Sequence, residues 1–561
     1  MPENNALASQ IAIKVAGQAV QDDVLSRILS LTVDQHAHLP GMFVIRLTDS
    51  DLKLLDEGPF NLAKEIEIAA ENEDGQKTVL MKGEITALEP EFAEGMIAEL
   101  VVRGYDRSHR MFRQSHSKGF VNTKDSDLAQ QIAQDNGLQA EVETTQTVYE
   151  HIFQDNQTDL SFLMARAWRI GYECFVSDGK LFFRKPPGSS AESITLTWGQ
   201  DLQSFYPRMS LGEQVDEVIV RGWDPAAQRA IVGRASRGNL YPQVGEQKDG
   251  AGWAQEFGAG KRAIVDMAVI SQAEADALAA ARLDELSGAF LEAEGSALRR
   301  PEIKAGRAVK LEALGQRFSG TYYITSVTHR YTPAGLISNF NVRGTRTGLL
   351  TENLAPAQER EQRWFGVVIG VVTNTDDPED MGRVKVKFPW LSEDVESNWC
   401  RVLGIGAGNE AGFYVMPEVG DEVVVSFEHG SISFPVVLGG LWNGNNKIPP
   451  EASGTRSGER PKARTWRSLS GHRITILDTS DNKIEIETAA GMQVVLDDAN
   501  KAITLKNEQS TIKMENSKIE IKTAQDVNVE SNGNLKIKAG GNIDIQAGGQ
   551  VTVKGALINL N

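Results

Sequence analysis

Ile519-Glu-Ile-Lys-Thr-Ala-Gln-Asp-Val-Asn-Val-Glu-Ser-Asn-Gly-Asn-Leu-Lys-Ile-Lys-Ala-Gly-Gly-Asn-Ile-Asp-Ile-Gln-Ala-Gly-Gly-Gln-Val-Thr-Val553 is the stretch on which the fold of the C-terminal region turns. It holds five aliphatic pairs spaced i, i+2: Ile519 with Ile521, Val527 with Val529, Leu535 with Ile537, Ile543 with Ile545 and Val551 with Val553. An i, i+2 pair lies on one face of a strand, so each pair predicts a short strand with one apolar face. Successive pairs start eight residues apart, the mark of a repeat whose units stack on one another. Ala-Gly-Gly fills the step at 539–541 and again at 547–549, where glycine permits a tight corner.

Five further pairs precede this stretch, from Ile474 with Ile476 to Ile512 with Met514, and Ile558 with Leu560 follows it. No aromatic residue occurs after Trp466 and no proline after Pro461, so an ordinary globular core is not expected there. A lone chain of single strands has no neighbour to supply ladder bonds. Three chains wound into a closed triangular prism supply both the ladder and a dry interior. Residues 471–561 are therefore expected to form an intertwined trimeric β-helix, with the ten paired aliphatics of 519–553 as its core.

Before this region, residues 363–445 are dense in β-branched residues and glycine. Val367–Val372, Arg383–Phe388, Trp399–Leu403 and Glu422–Phe427 read as strands, with turns at 376–380 and 404–410. That count suggests an OB-like barrel. Met381-Gly-Arg-Val-Lys-Val-Lys-Phe-Pro-Trp390, Gly412-Phe-Tyr-Val-Met-Pro-Glu-Val-Gly-Asp-Glu-Val-Val-Val-Ser-Phe427 and Gly440-Leu-Trp-Asn443 closely resemble the barrel of the VgrG and phage central-spike family. Gly382, Arg383, Val384, Pro389, Trp390, Gly420 and Asp421 carry that motif. The resemblance implies a trimer of barrels joining a wider base to a β-helical needle.

Residues 1–350 read as mixed α and β, with 351–362 and 446–470 as linkers. Helices are predicted over 125–136 and 158–170, and a third opens on a capping box, Ser271-x-x-Glu274, and runs to Leu286. Strands are predicted at Ala308–Leu311 and Tyr322–Val327. Asp125-Ser-Asp-Leu-Ala-Gln-Gln-Ile, Asp159-Leu-Ser-Phe-Leu-Met-Ala-Arg and Phe318-Ser-Gly-Thr-Tyr-Tyr-Ile-Thr-Ser-Val-Thr-His329 resemble the hub of contractile phage tails and the late control D proteins. That resemblance implies tube-adaptor barrels in the base. The whole is then a mixed α+β hub-like base, an all-β OB-like barrel and a trimeric needle.

Composition narrows the function classes. The chain has 561 residues, 41% hydrophobic and 24% charged, with a formal charge of −18. Such a charge disfavours a surface that tracks nucleic-acid phosphates. No run approaches the length of a membrane-spanning helix, and Met1–Gln10 lacks the order of a signal peptide, so synthesis in the cytoplasm is expected. Cys174 and Cys400 stand too far apart to suggest a metal knuckle, and the eight histidines are scattered. Gly404–Gly408 lacks the lysine and helix of a phosphate loop, and 376–380 reads as a solvated turn rather than a calcium loop. No Gly-x-Ser-x-Gly elbow occurs, and 444–470 is too short for the muramidase that some phage relatives carry between barrel and needle. No enzyme activity, cofactor or metal is expected.

The reading that follows is a homotrimeric spike at the tip of a contractile injection machine. An envelope-degrading enzyme on a spike scaffold and a receptor-binding fibre are the alternatives. The compact length favours an extracellular, phage-tail-like particle over a type VI system or a phage tail. Expected partners are inner-tube and baseplate proteins and, transiently, the target envelope. Relatives carry a PAAR-like conical cap, and Ile558, Asn559, Leu560 and Asn561 are the expected cap-binding tip.

Overall fold

The computed structural model describes residues 10–344 and 363–560, apart from 96, 188–192, 239–241, 270, 393–394, 454–455, 458–459 and 481. The linker expected at 351–362, and Asn561 of the tip, lie outside the described residues. Two compact units divide the chain, 1–441 and 442–561.

In the first unit an eleven-stranded antiparallel sheet joins the beginning of the chain to residues 202–342. The seam is Ser326–Thr332 against Ile28–His36, where His329 stands opposite Val33. Strand alternation gives each half its own apolar layer. Leu31, Phe43, Ile45 and Ile68 form one core; Leu291, Tyr322, Val327 and Phe340 form the other. The base barrels implied by resemblance thus take the form of two cores on one open sheet, and the closed barrel among the described residues is the later one. The predicted strand Tyr322–Val327 divides into Gly320–Tyr323 and Ser326–Thr332, because at Ile324 and Thr325 the chain leaves a four-stranded sheet for the eleven-stranded one.

Helices occupy Asp125–Asp135, Asp159–Arg169 and Gln272–Gly288. The first buries the apolar face read from its periodicity, Leu128, Ala129, Ile132 and Ala133. The third is capped as predicted on one side, the Ser271 hydroxyl accepting the Glu274 amide at 3.1 Å. The carboxylate of Glu274 instead receives Arg169 Nε at 2.8 Å, tying the third helix to the second.

Val367–Asn374, Arg383–Lys387, Cys400–Val402, Glu422–Phe427 and Pro435–Gly440 close into a five-stranded barrel. Val372, Val384, Val386, Cys400, Val423, Val425 and Val437 fill it. The turn expected at 404–410 is a hairpin, Ile405–Gly408 with Ala411–Phe413.

In the second unit the chain pairs with itself over much of the length expected to form an intertwined β-helix. Seven strands, Ala463–Arg467, Arg473–Leu477, Lys483–Glu487, Gln493–Asp497, Ala502–Lys506, Ser510–Met514 and Ile519–Thr523, form one antiparallel meander within the chain. Each finds its ladder partner in the next, because turns of a few residues reverse the chain between them. The first of the seven lies inside the segment read as a linker. From 524 to 560 the chain forms no strand with itself.

His329, the last residue of the hub-like motif, is fully buried in the sheet seam. Its Nε2 faces the Ile303 carbonyl at 3.0 Å, so that nitrogen carries the proton, while Nδ1 lies 2.8 Å from the Ser338 hydroxyl. Burial lowers its pKa to about 4. A depressed histidine stabilises the fold fully above its unfolded pKa, and that contribution is lost as pH falls. Thermal melts of the wild type should therefore lose on the order of 2–3 kcal/mol relative to His329→Gln between pH 7 and pH 4. Parallel pH profiles of the two proteins would contradict this.

Candidate functional site

Two features of the sequence single out parts of the structure, the barrel motif and the aliphatic ladder. In the barrel, Gly382 and Gly420 adopt φ of 68° and 93°, the left-handed region that glycine enters without strain. Arg383 forks onto Asp377, with Nη2 2.6 Å from Oδ1 and Nε 3.1 Å from each oxygen. Asp377 also accepts the amides of Glu379, Met381 and Arg383. The Arg383 guanidinium holds its carboxyl well below the usual carboxylate range. The acidic turn expected to be solvated is thus folded around one carboxylate. Val384 is fully buried, and Pro389 leads into Trp390, whose Nε1 donates to the Ile369 carbonyl at 2.9 Å. Asp421 accepts the Glu418 amide, and its own carbonyl receives the Val372 amide. These bonds tie Arg383, Trp390 and Asp421 to the strands and turns of the barrel.

The ladder has the geometry of an interface. Register aligns the aliphatic pairs of the seven-stranded sheet into two columns across the strands. One runs Trp466, Ile474, Ile486, Val494, Leu505, Ile512, Ile521; the other runs Ile476, Ile484, Leu496, Ile503, Met514, Ile519. Neighbours in a column stand directly opposite each other, the closest side-chain approach a sheet offers. This face is uncovered: Ile474, Ile486 and Leu505 are 41, 44 and 45% exposed. The other face carries polar residues that cover one another. Arg473 pairs with Glu487, Lys483 with Asp497 at 3.8 Å, and Glu520 with Lys518 and Lys522 at 2.7 and 3.1 Å.

Within one chain the ten residues expected as needle core are exposed. Ile519 and Ile521 lie on the last strand of the sheet and are exposed on its open face. Val527, Val529, Leu535, Ile537, Ile543, Ile545, Val551 and Val553 lie beyond it and are exposed as well. The physical reason is that this segment forms no strand with itself, so a single chain supplies no second layer to close over them. Of each later pair the first member is less exposed than the second. Val527 is 57% exposed and Val529 67%; Ile543 is 52% and Ile545 73%; Val551 is 53% and Val553 69%. The same environment thus recurs every eight residues. At the expected tip Ile558, Asn559 and Leu560 are exposed.

Sequence reasoning misses the strand 463–467 and the hairpin 405–413. The first offers one apolar residue on the ladder face, Trp466, among charged neighbours; the second is so rich in glycine that it reads as a turn. Among the described residues no three His, Cys, Asp or Glu side chains gather as a metal site, and no helix is long and apolar enough to cross a membrane. A cavity of about 250 Å³ lies beside Phe175 and Phe182 in the base. Its Arg184 is engaged by Glu173 and its Lys304 by Asp178.

Two family models match parts of the chain. The model of the Alg8 N-terminal domain matches residues 5–333, and that of the type VI secretion system/phage-baseplate injector OB domain matches residues 368–442. The type VI secretion system spike protein VgrG1c of Pseudomonas aeruginosa is 30% identical over 150 residues, 26% of this chain and 20% of that protein. VgrG3 of Vibrio cholerae is 39% identical over 75 residues, 13% of this chain and 7% of that protein. The chain therefore aligns with a fifth or less of the length of these relatives. A solved Francisella PdpA–VgrG complex in its half-lidded form has a TM-score of 0.50 at 10% identity, covering 92% of this chain and 89% of that one. At that identity the likeness is one of fold.

The Arg383–Asp377 fork gives a direct test of the barrel. Arg383→Met keeps the stem and removes the fork, at an expected cost of about 1–3 kcal/mol at pH 7. A depressed carboxylate contributes its stability above the unfolded pKa and loses it as pH falls towards the folded one, so the difference between the two proteins should shrink below about pH 4. Urea unfolding followed by tryptophan fluorescence reads both effects, and equal midpoints at neutral pH would contradict the assignment.

Proposed function

The chain belongs to the Alg8 N-terminal domain family and, through its injector barrel, to the VgrG and phage-spike family, and from that premise we propose that it is one protomer of a homotrimeric spike at the tip of a contractile injection machine. The observation that carries the proposal is the pair of uncovered aliphatic columns, continued by eight-residue steps that have no strand partner in the chain. Three copies turn these faces inward. The seven-stranded sheets form three walls of a prism, and the segments from 524 onward pair with those of the other two copies, satisfying backbone groups that a single chain leaves open. Closure also buries the exposed part of every column side chain, at on the order of 1 kcal/mol each, since each is only half exposed to begin with.

The role is mechanical rather than catalytic. The base receives thrust from an inner tube and baseplate, the barrel transmits it, and the prism concentrates it on a small area of target envelope. Buckling would require many cross-strand bonds to break together. The tip, Ile558–Leu560, offers open backbone and exposed aliphatics to a PAAR-like cap that would add to its β edge. Assembly in the cytoplasm into a particle that is then released fits this reading, in an extracellular, phage-tail-like machine.

Light scattering of the full-length chain at micromolar concentration should report three copies. Ile537→Asp and Ile545→Asp place three charges inside a closed prism and should lower the melting temperature sharply, while Lys536→Ala and Asp544→Ala, on the outward positions, should change it little. A monomer, or the reverse order of effects, would overturn the proposal.

A further inference from the structure

The closed barrel departs from the usual rule of apolar inside and polar outside. Its interior is filled by Val372, Val423, Val425 and Val437, yet the outward positions of three adjoining strands are aliphatic as well. Val367 and Ile369 on the first strand, Val424 on the fourth, and Val436 and Leu438 on the fifth share that outer face, since Ile369 stands opposite Val424 and Val436 opposite Ser426. Val367 is 60% exposed and Ile369 and Leu438 are each 40% exposed. This wall is bordered by Arg401, which pairs in register with Val436, and by Lys387, which pairs with Val371. Neither cation forms an ion pair among the described residues.

A second apolar surface leaves the same barrel at Leu403. The hairpin of residues 405–408 and 411–413 pairs with no other strand among the described residues. Ile405 is 82% exposed, Tyr414 80% and Phe413 54%. A two-stranded hairpin of this length is marginal by itself in water and needs a surface to pack on. Its turn bears Glu410, and Glu418 follows it; neither carboxylate has an ionic partner among the described residues.

One domain thus presents two unlike apolar patches, an anionic arm and a wall edged with cations. A rotationally closed ring of three requires that combination, because each protomer meets its two neighbours through different surfaces. We infer that the hairpin of residues 404–415 is an arm that docks on the outer aliphatic wall of the neighbouring copy's barrel, with Glu410 and the following Glu418 towards Arg401 and Lys387. The inference rests on the trimer proposed above and adds a heterologous clasp at the barrel, separate from the C-terminal prism.

The test uses the full-length chain with Ile405→Cys and Val367→Cys, alone and together, treated with a short bismaleimide. The native Cys174 and Cys400 are buried and stay out of the reaction. The double variant should give covalent dimers and trimers on a denaturing gel. Each single variant should remain uncoupled, and a mixture of the two single variants, unfolded and reassembled together, should stop at dimers. A double variant that is trimeric by light scattering yet yields no coupling between chains overturns the clasp and leaves the trimer standing. Coupling of Ile405→Cys to itself, or a link confined to one chain, overturns the clasp too. A monomer by light scattering overturns the trimer and the clasp with it.

Discussion

Water must be kept from two columns of aliphatic side chains that the backbone register holds side by side on one face of a sheet. Among the described residues of the second unit nothing covers that face, whereas the opposite face is closed over by its own ion pairs. An open apolar face of such length is a liability that folded proteins cover. The regularity of the columns selects the cover. Rungs that repeat at sheet spacing fit another copy of themselves far better than they fit an irregular partner, and in the proposed trimer three such faces enclose the interior.

The mode of pairing changes at Thr523. Up to that residue the chain folds back on itself, with steps of nine or ten between most pairs and seven between the last two. Beyond it the pairs from Val527 to Val553 recur at a constant step of eight and residues 524–560 form no strand with their own chain, so in the proposed trimer their ladder partners come from the other copies. Trp466 heads one column where the sheet begins, so the wide aromatic sits at the end of the ladder and the uniformly slim aliphatics follow.

Much of this is legible in the sequence, for reasons particular to each element. The ladder residues stand out because period-two alternation on a fixed step is the signature of stacked strands and of little else. The helix at 125–135 and the Ser271 cap follow from local patterns that need no tertiary context. Other features depend on partners distant in sequence. Glu274 reads as the second half of a capping box, but Arg169, over a hundred positions away, takes its carboxylate. Asp377 looks like one acid among several until the fork of Arg383 sets it apart. The break at Ile324 records a change of sheet, which no local propensity reports. The meander escapes sequence reasoning because period-two pairs say which face is apolar and leave open which chain supplies the next strand. For the same reason residues such as Val529 and Ile545 stand out as one apolar face, although a single chain leaves them exposed.

Amide hydrogen exchange along residues 524–553 of the full-length protein tests the central claim most directly. A closed prism of three chains predicts slow exchange at the aliphatic pairs from Val527 to Val553, comparable to that of the meander strands 473–523. Exchange there at the rate of an unstructured peptide, with the meander protected, would contradict it.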